Sequence, residues 1–320
     1  MKIGSLFSGY GGLDIAVEHH FDAETVWHTE FDDAPSKILA AHWHDVPNHH
    51  DVSTVDWTTV EPVDIITGGF PCQDVSTAGK RAGMVDGTRS NLWGAMRTAI
   101  ETIRPQYAVI ENVRGLLSAT AQSDSDLEHD QGPMGNTPNI NLRAIGRVLG
   151  DLAEIGYDAQ WYGLRAADIG APHHRFRVFI LATNTEHHGT SAGSDWRSHG
   201  TSTTQRRRTQ RITTVKNRQP TRGHHVDHRP DDIRWGIYEP AIRQWERILG
   251  RPAPAPTELS EKGRPQLSAV FVEWMMGINP GHVTGIDGIT RTQQLKMLGN
   301  GVVPQQAQAA LDIMTEQMPD

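Results

Sequence analysis

Short apolar runs that end in glycine or polar residues, each followed by a stretch of helical period, recur through the first 115 residues, and this alternation restricts the fold more than any other feature. A chain so patterned winds βα units around a parallel sheet. Four strands are expected here, Lys2 to Phe7, Glu24 to Thr29, Val63 to Thr67 and Tyr107 to Ile110. The first leads through Ser8-Gly9-Tyr10-Gly11-Gly12 into a helix marked by Leu13, Ile15, Ala16 and Val17. Open α/β sheets hold ligands beyond the carboxyl ends of their strands. The residues of interest are therefore Phe7 to Gly12, Glu30, Gly68 to Gln73 and Glu111-Asn112.

Further along, the spacing predicts a helix over Leu142 to Leu152 and a β-branched, aromatic strand over Arg177 to Leu181. From Glu186 to Asp232 the chain is mostly Thr, Ser, His, Gly, Arg and Gln, with no apolar period to bury, and loops or disorder are expected there. Helical period returns at Tyr238 to Leu249, Arg251 to Pro256 reads as a stiff linker, Phe271 to Met276 is apolar, and Gln305 to Met314 forms a last helix behind Pro304. At 320 residues the chain suits one large domain plus a smaller one.

No stretch approaches the roughly 20 apolar residues that a bilayer requires, and the N-terminus lacks a long apolar signal segment, so no membrane role and a cytoplasmic location are expected. A single cysteine rules out an internal disulfide and a multi-thiolate zinc site. The histidines His173-His174, His187-His188 and His224-His225 with His228 lack cysteine partners, and no metal is expected. The formal charge is −8, yet Arg197, Arg206, Arg207, Arg208, Arg211, Lys216, Arg218, Arg222 and Arg229 share one stretch with few carboxylates. Such asymmetry suits a local face for a polyanion; a solvated basic loop would carry the same residues.

Each candidate site residue has a functional and a plain structural reading. The glycine cluster lets a ligand approach the backbone at a helix N-terminus, or it makes a tight turn. Glu30 stands where an acidic residue meets ribose hydroxyls in dinucleotide folds, but the glycine spacing does not fit G-x-G-x-x-G, which favours a cofactor bearing an amino-acid carboxylate over a pyrophosphate. Cys72, in Gly68-Gly69-Phe70-Pro71-Cys72-Gln73, is a nucleophile for an electron-poor ring carbon or a small buried hydrophobe. Glu111 is an acid facing the same edge or a strand-end carboxylate. Arg175 and Arg177 meet that edge if their strand runs antiparallel, and are otherwise surface arginines.

Taken in order, Phe7-Ser-Gly-Tyr-Gly-Gly12, Gly69-Phe-Pro-Cys-Gln73, Glu111-Asn-Val113, Arg175-x-Arg177 and Gly299-Asn-Gly-Val-Val-Pro304 resemble the motifs of DNA cytosine carbon-5 methyltransferases. Gly87 to Trp93, Arg264 to Ser268 and Phe271 to Gly277 extend the resemblance over nearly the whole chain. It implies an α/β fold, a Rossmann-like S-adenosylmethionine-dependent methyltransferase sheet with a smaller inserted target-recognition domain. The expected division is a catalytic domain over 1–185, a DNA-reading domain over 186–262 and a return to the catalytic domain over 263–320. S-adenosylmethionine is the implied cofactor, leaving as S-adenosylhomocysteine. Phe7, Gly9, Gly11, Gly12 and Leu13 would line its methionine end, Glu30 its ribose, and Phe31, Asp51 and Val52 its adenine, with Pro71, Leu92, Asn300 and Val302 completing the pocket.

By the same resemblance, Cys72 would attack carbon 6 of a flipped cytosine, Glu111 would engage its nitrogen 3 edge, and Arg175 and Arg177 would help position the base and the loop. Arg206, Arg207, Arg208, Arg211, Lys216, Arg218 and Arg222 would contact double-stranded DNA. A monomer is expected, in a prokaryotic or viral setting, with a cognate restriction nuclease as the other partner that the family admits. Two departures stand out: His173 occupies a position where the family usually has glutamine, and the recognition stretch is unusually hydrophilic. Methylation of RNA, a non-catalytic DNA-binding relic and a nicotinamide dehydrogenase are the rival readings; the presence of Cys72 and Glu111 argues against the second, and the glycine spacing against the third.

Overall fold

The computed structural model describes residues 1–71, 92–118, 144–186, 233–260 and 262–317. Its main sheet takes β1 (Lys2–Leu6), β2 (Glu24–Thr29), β3 (Ile65–Gly68), β4 (Tyr107–Val113), β5 (Tyr157–Arg165) and β6 (Phe176–Asn184) in the spatial order β2-β1-β3-β4-β6-β5. β1 pairs in parallel with β2 and β3, and β3 with β4, while β6 runs antiparallel to both β4 and β5. The order reverses at β1, so a crevice opens beyond the carboxyl ends of β1 and β3.

Alternation along the central strands separates two cores. Tyr107 and Val109 of β4, with Phe179 and Leu181 of β6, face α1 (Gly12–Phe21) and the C-terminal helix. Ala108, Ile110, Val178, Ile180 and Ala182 face the other way, onto α3 (Leu92–Ile103) and α4 (Ala144–Glu154). Between β2 and β3 lies α2 (Asp33–His42). A third core joins Tyr10 and Ile38 to α5 (Glu239–Leu249), α6 (Ala269–Met275) and α7 (Arg291–Asn300) through Ile242, Trp245, Trp274 and Leu298. Trp245 is fully buried and donates its indole N–H to the Trp274 carbonyl at 3.0 Å, tying α5 to α6. A small hairpin pairs β7 (Thr257–Leu259) with β8 (Pro265–Leu267), and α8 (Pro304–Glu316) closes the fold against α1.

The expected strands appear with shifted ends. β4 continues to Val113 because Glu111 and Asn112 pair with Phe179 and Val178, so both lie in the strand rather than just beyond it. The condition set for the arginines is met: β6 is antiparallel, and Val113 stands opposite Arg177. Three helices, α2, α3 and α7, and the strands β5, β7 and β8 were not expected. No helix among the described residues is long and apolar enough to cross a membrane.

Candidate active site

The chain leaves β1 through a left-handed turn, with positive φ at Phe7 (54°), Gly9 (58°) and Gly11 (82°). Its centre, Tyr10, is buried, and its hydroxyl donates to the Val302 carbonyl at 2.5 Å. Gly12 is required by the same approach, since a Cβ there would lie 2.4 Å from the Val302 oxygen. His282 Nε2 donates to the Tyr10 carbonyl at 2.7 Å, and its ring stacks on His42 with centroids 3.9 Å apart. The glycine turn is thus pinned from the C-terminal part of the chain.

Glu30 follows β2. Its Oε2 accepts the Gly9 N–H at 2.8 Å and its Oε1 the Asp32 N–H at 2.9 Å. Asn48 brackets its backbone, accepting the Glu30 N–H at 2.9 Å and donating to the Glu30 carbonyl at 3.1 Å. Burial raises the Glu30 carboxyl above the usual range against these N–H groups. Each oxygen keeps a lone pair for a further donor, as a ribose diol would supply. Beside it the Phe31 side chain is 71% exposed, an aromatic face with no core to cover it. A nucleoside fits this donor set and surface.

Beneath the turn lies a buried carboxyl that sequence reasoning missed. Asp14, in the first turn of α1, accepts the Ser5 hydroxyl at 2.8 Å and the Thr67 hydroxyl at 2.5 Å. Ser5 and Ser8 hydroxyls meet at 2.7 Å, and Ser8 lies 3.3 Å from His28 Nδ1. Burial pushes the Asp14 carboxyl up to about 7, and the His28 imidazole down to about 4. The signal was present as one carboxylate inside the apolar run Leu13 to Val17.

At the end of β4, Glu111 Oε1 stands 2.5 Å from Arg177 Nε, both side chains being nearly buried. The contact is a close approach of charges rather than an aligned hydrogen bond, since neither atom has a well-directed hydrogen-bond partner. Burial raises the Glu111 carboxyl, and the charges of Arg177 and Arg175 only partly counter it. A Cβ on Gly69 would lie 3.1 Å from Glu111 Oε2, and Asn112 donates to the Phe70 carbonyl at 3.1 Å. Gly69 and Phe70 are therefore fastened to the end of β4 by Glu111 and Asn112. Cys72 itself lies outside the described residues, as do Arg206, Arg207, Arg208, Arg211, Lys216, Arg218 and Arg222.

Arg175 is committed elsewhere. Its guanidinium donates to the carbonyls of Gly299 (2.5 Å), Asn300 (2.8 Å) and Gly301 (2.5 Å), closing the end of α7. Burial lowers it to about 10. Gln306, also unforeseen, donates to the Leu164 and Arg175 carbonyls at 2.7 and 3.1 Å. His173 faces the Met275 carbonyl at 3.2 Å. Phe7, Gly9, Gly11, Gly12, Glu30 and Phe31 gather at the carboxyl edge of β1 and β2, whereas the Leu13 side chain belongs to the core. Asp51 accepts the Ser53 N–H and hydroxyl in its own turn, Val52 is buried, and Pro71 and Asn300 are exposed. Leu92 packs half-buried at the start of α3, and Val302 is buried beside Tyr10. Among the described residues no group of three or more His, Cys, Asp or Glu could hold a metal ion.

The family model described as C-5 cytosine-specific DNA methylase matches residues 1–235. The chain belongs to this family. Among curated proteins, it is 32% identical over 187 residues to the type II methyltransferase M.NgoFVII of Neisseria gonorrhoeae, covering 58% of this chain and 44% of that protein. It is 31% identical over 180 residues to the type II methyltransferase M1.ScrFI of Lactococcus lactis subsp. cremoris, covering 56% and 41%. The chain thus spans less than half the length of these relatives. The solved S. pombe Dnmt2 methyltransferase superposes with a TM-score of 0.57 over 99% of this chain and 100% of that one at 15% identity, a likeness of fold. The fold of the chain is the Rossmann-like sheet of the methyltransferase fold.

Proposed function

We propose that the chain is a DNA (cytosine-5)-methyltransferase that transfers a methyl group from S-adenosylmethionine to carbon 5 of a flipped cytosine in duplex DNA, through a covalent adduct with Cys72. The observation that carries this reading is the buried Glu111 carboxyl, paired with Arg177 at the sheet's carboxyl edge and set against Gly69, three residues before the thiol. Family membership and the type II relatives support the same chemistry. S-adenosylmethionine supplies the electrophilic methyl group when bound, with Glu30 toward the ribose and Phe31 toward the adenine.

The chain's own residues supply the rest. Carbon 5 of cytosine is a poor nucleophile until the Cys72 thiolate donates a lone pair to carbon 6, which pushes electron density to carbon 5 and nitrogen 3. Glu111, whose raised carboxyl can carry a proton, shares it with nitrogen 3 while Arg177 holds the carboxyl in place. After methylation, a solvent base takes the carbon-5 proton, and the electrons of that C–H bond re-form the carbon 5–carbon 6 double bond as the Cys72 thiolate departs, which restores the aromatic ring. The base must leave the stack for its faces to be reached, at a cost of about a few kcal/mol offset by pocket contacts. Residues 186–262 serve as the DNA-reading domain, and the enzyme works as a cytoplasmic monomer, with a restriction nuclease as its counterpart in a type II system.

Labelled methyl transfer tests the reading, using duplex DNA and transfer RNA in parallel. Transfer to duplex DNA, abolished in Cys72→Ser with cofactor binding kept, is the expected result. Transfer to RNA alone would move the chain to the related RNA chemistry, and full turnover by Cys72→Ser would eliminate the covalent scheme.

A further inference from the structure

β5 carries a glycine two residues before its end, inside the strand, where glycine weakens it by its entropy and its missing side chain. Gly163 has a local reason: a Cβ there would lie 2.5 Å from Cζ of the Phe176 ring. The ring is thus seated against bare backbone at the first residue of β6, and its edge packs on the core beneath. Over it lies Arg114, three residues beyond Glu111, with its guanidinium carbon 5.6 Å from the ring centroid. Arg114 is exposed, and among the described residues its partner is the ring, not a carboxylate.

The surroundings share its sign. β4, β5 and β6 bring Arg114, Arg165, Arg175 and Arg177 to one edge, in a chain whose net charge is −8. Of the carboxylates there, Glu111 faces Arg177, and Asp168 accepts the Arg165 backbone N–H at 2.8 Å. A guanidinium held over an aromatic face by cation–π attraction, and facing no carboxylate, keeps N–H groups for the fork that matches two oxygens of a phosphate. The stack also orders the long side chain in advance.

We infer that Arg114, held over the Phe176 ring that Gly163 leaves room for, is a phosphodiester-binding site at the carboxyl edge of the sheet beside Glu111, taking one backbone phosphate near the target nucleotide. This rests on the reading of the chain as a DNA methyltransferase and adds a scaffold contact separate from the basic stretch after residue 186. Arg114 is the binding residue and Phe176 its positioning residue.

The test is fluorescence-anisotropy titration of the full chain with a short labelled duplex over a series of salt concentrations, beside calorimetric titration with S-adenosylmethionine. Arg114→Gln should weaken duplex binding about tenfold or more and lower the slope of log affinity against log salt by about 0.9, one phosphate contact. Arg114→Lys should keep the slope with weaker affinity, because a point charge neither stacks nor forks. Phe176→Leu should behave like Arg114→Lys. The loss should be equal on unrelated duplex sequences, since a phosphate carries no base identity. An unchanged slope in Arg114→Gln, a loss confined to one sequence, or an equal loss of cofactor affinity overturns the inference while leaving the methyltransferase reading intact. A wild-type chain that does not bind duplex at all overturns both.

Discussion

The hydroxyl of Tyr10 and the carbonyl oxygen of Val302 lie 2.5 Å apart across 292 residues of sequence, and this bond fixes the glycine turn after β1. Tyr10→Phe removes the donor and leaves a buried carbonyl without it, which costs about 1–3 kcal/mol. A fall in melting temperature of roughly 2 to 10 °C is expected, with weaker S-adenosylmethionine binding in calorimetric titration. Unchanged stability and affinity together would show that the pin does nothing.

Phe31 separates binding from folding. Its ring is 71% exposed, so Phe31→Ala removes little that the folded chain buries, and the denaturation midpoint should stay within error. If the ring stacks on adenine, its loss should raise the cofactor Kd by about 5- to 150-fold, the range of aromatic stacking on a base. An unaltered Kd would place the adenine elsewhere.

The Glu111–Arg177 pair calls for a double-mutant cycle. Glu111→Gln leaves the Arg177 guanidinium nearly buried without its counter-charge, a loss on the order of 3 kcal/mol. Removing both charges, as in Glu111→Gln with Arg177→Met, should recover much of that stability. Methyl transfer should remain absent in both variants. Additive stability losses in urea denaturation would show that the two groups do not act on each other.

Asp14 gives stability a pH dependence of known sign. Its buried carboxyl stands at about 7 against an ordinary 3.8, so between those values the folded chain holds a proton that the unfolded chain has released. Its contribution is fully present below about pH 4 and is lost as pH rises through about 7. Asp14→Asn keeps the neutral shape without the titration. Relative to wild type, the variant should gain stability between pH 4.5 and 7.5 in urea denaturation, and a constant difference would mean that Asp14 is not perturbed.

The parts legible in the sequence are those governed by local pattern. The βα alternation predicted β1, α1, β2 and β4, and the antiparallel direction of β6 brought Arg177 to Glu111. α7 escaped notice because only Met297 and Leu298 are buried along its ten residues, and α2 because its buried set is Pro35, Ile38 and Leu39. β5 was obscured by Asp158, Gln160 and Gly163, tolerated because much of the strand is half-buried. Contacts between distant segments were not readable: Asn48 around Glu30, Asp14 beneath Thr67, and Arg175 on the carbonyls of Gly299 to Gly301. Each depends on which segments become neighbours, which hydrophobic period does not encode.

Because α8 packs on α1 and Val302 secures Tyr10, the glycine turn after β1 is held by residues translated nearly three hundred positions after it. A nascent chain emerging from the ribosome must carry its loose glycine turn through nearly three hundred residues of translation. Chains truncated before Val302 should therefore leave the turn unpinned, and, if that turn holds S-adenosylmethionine, should lose their grip on it.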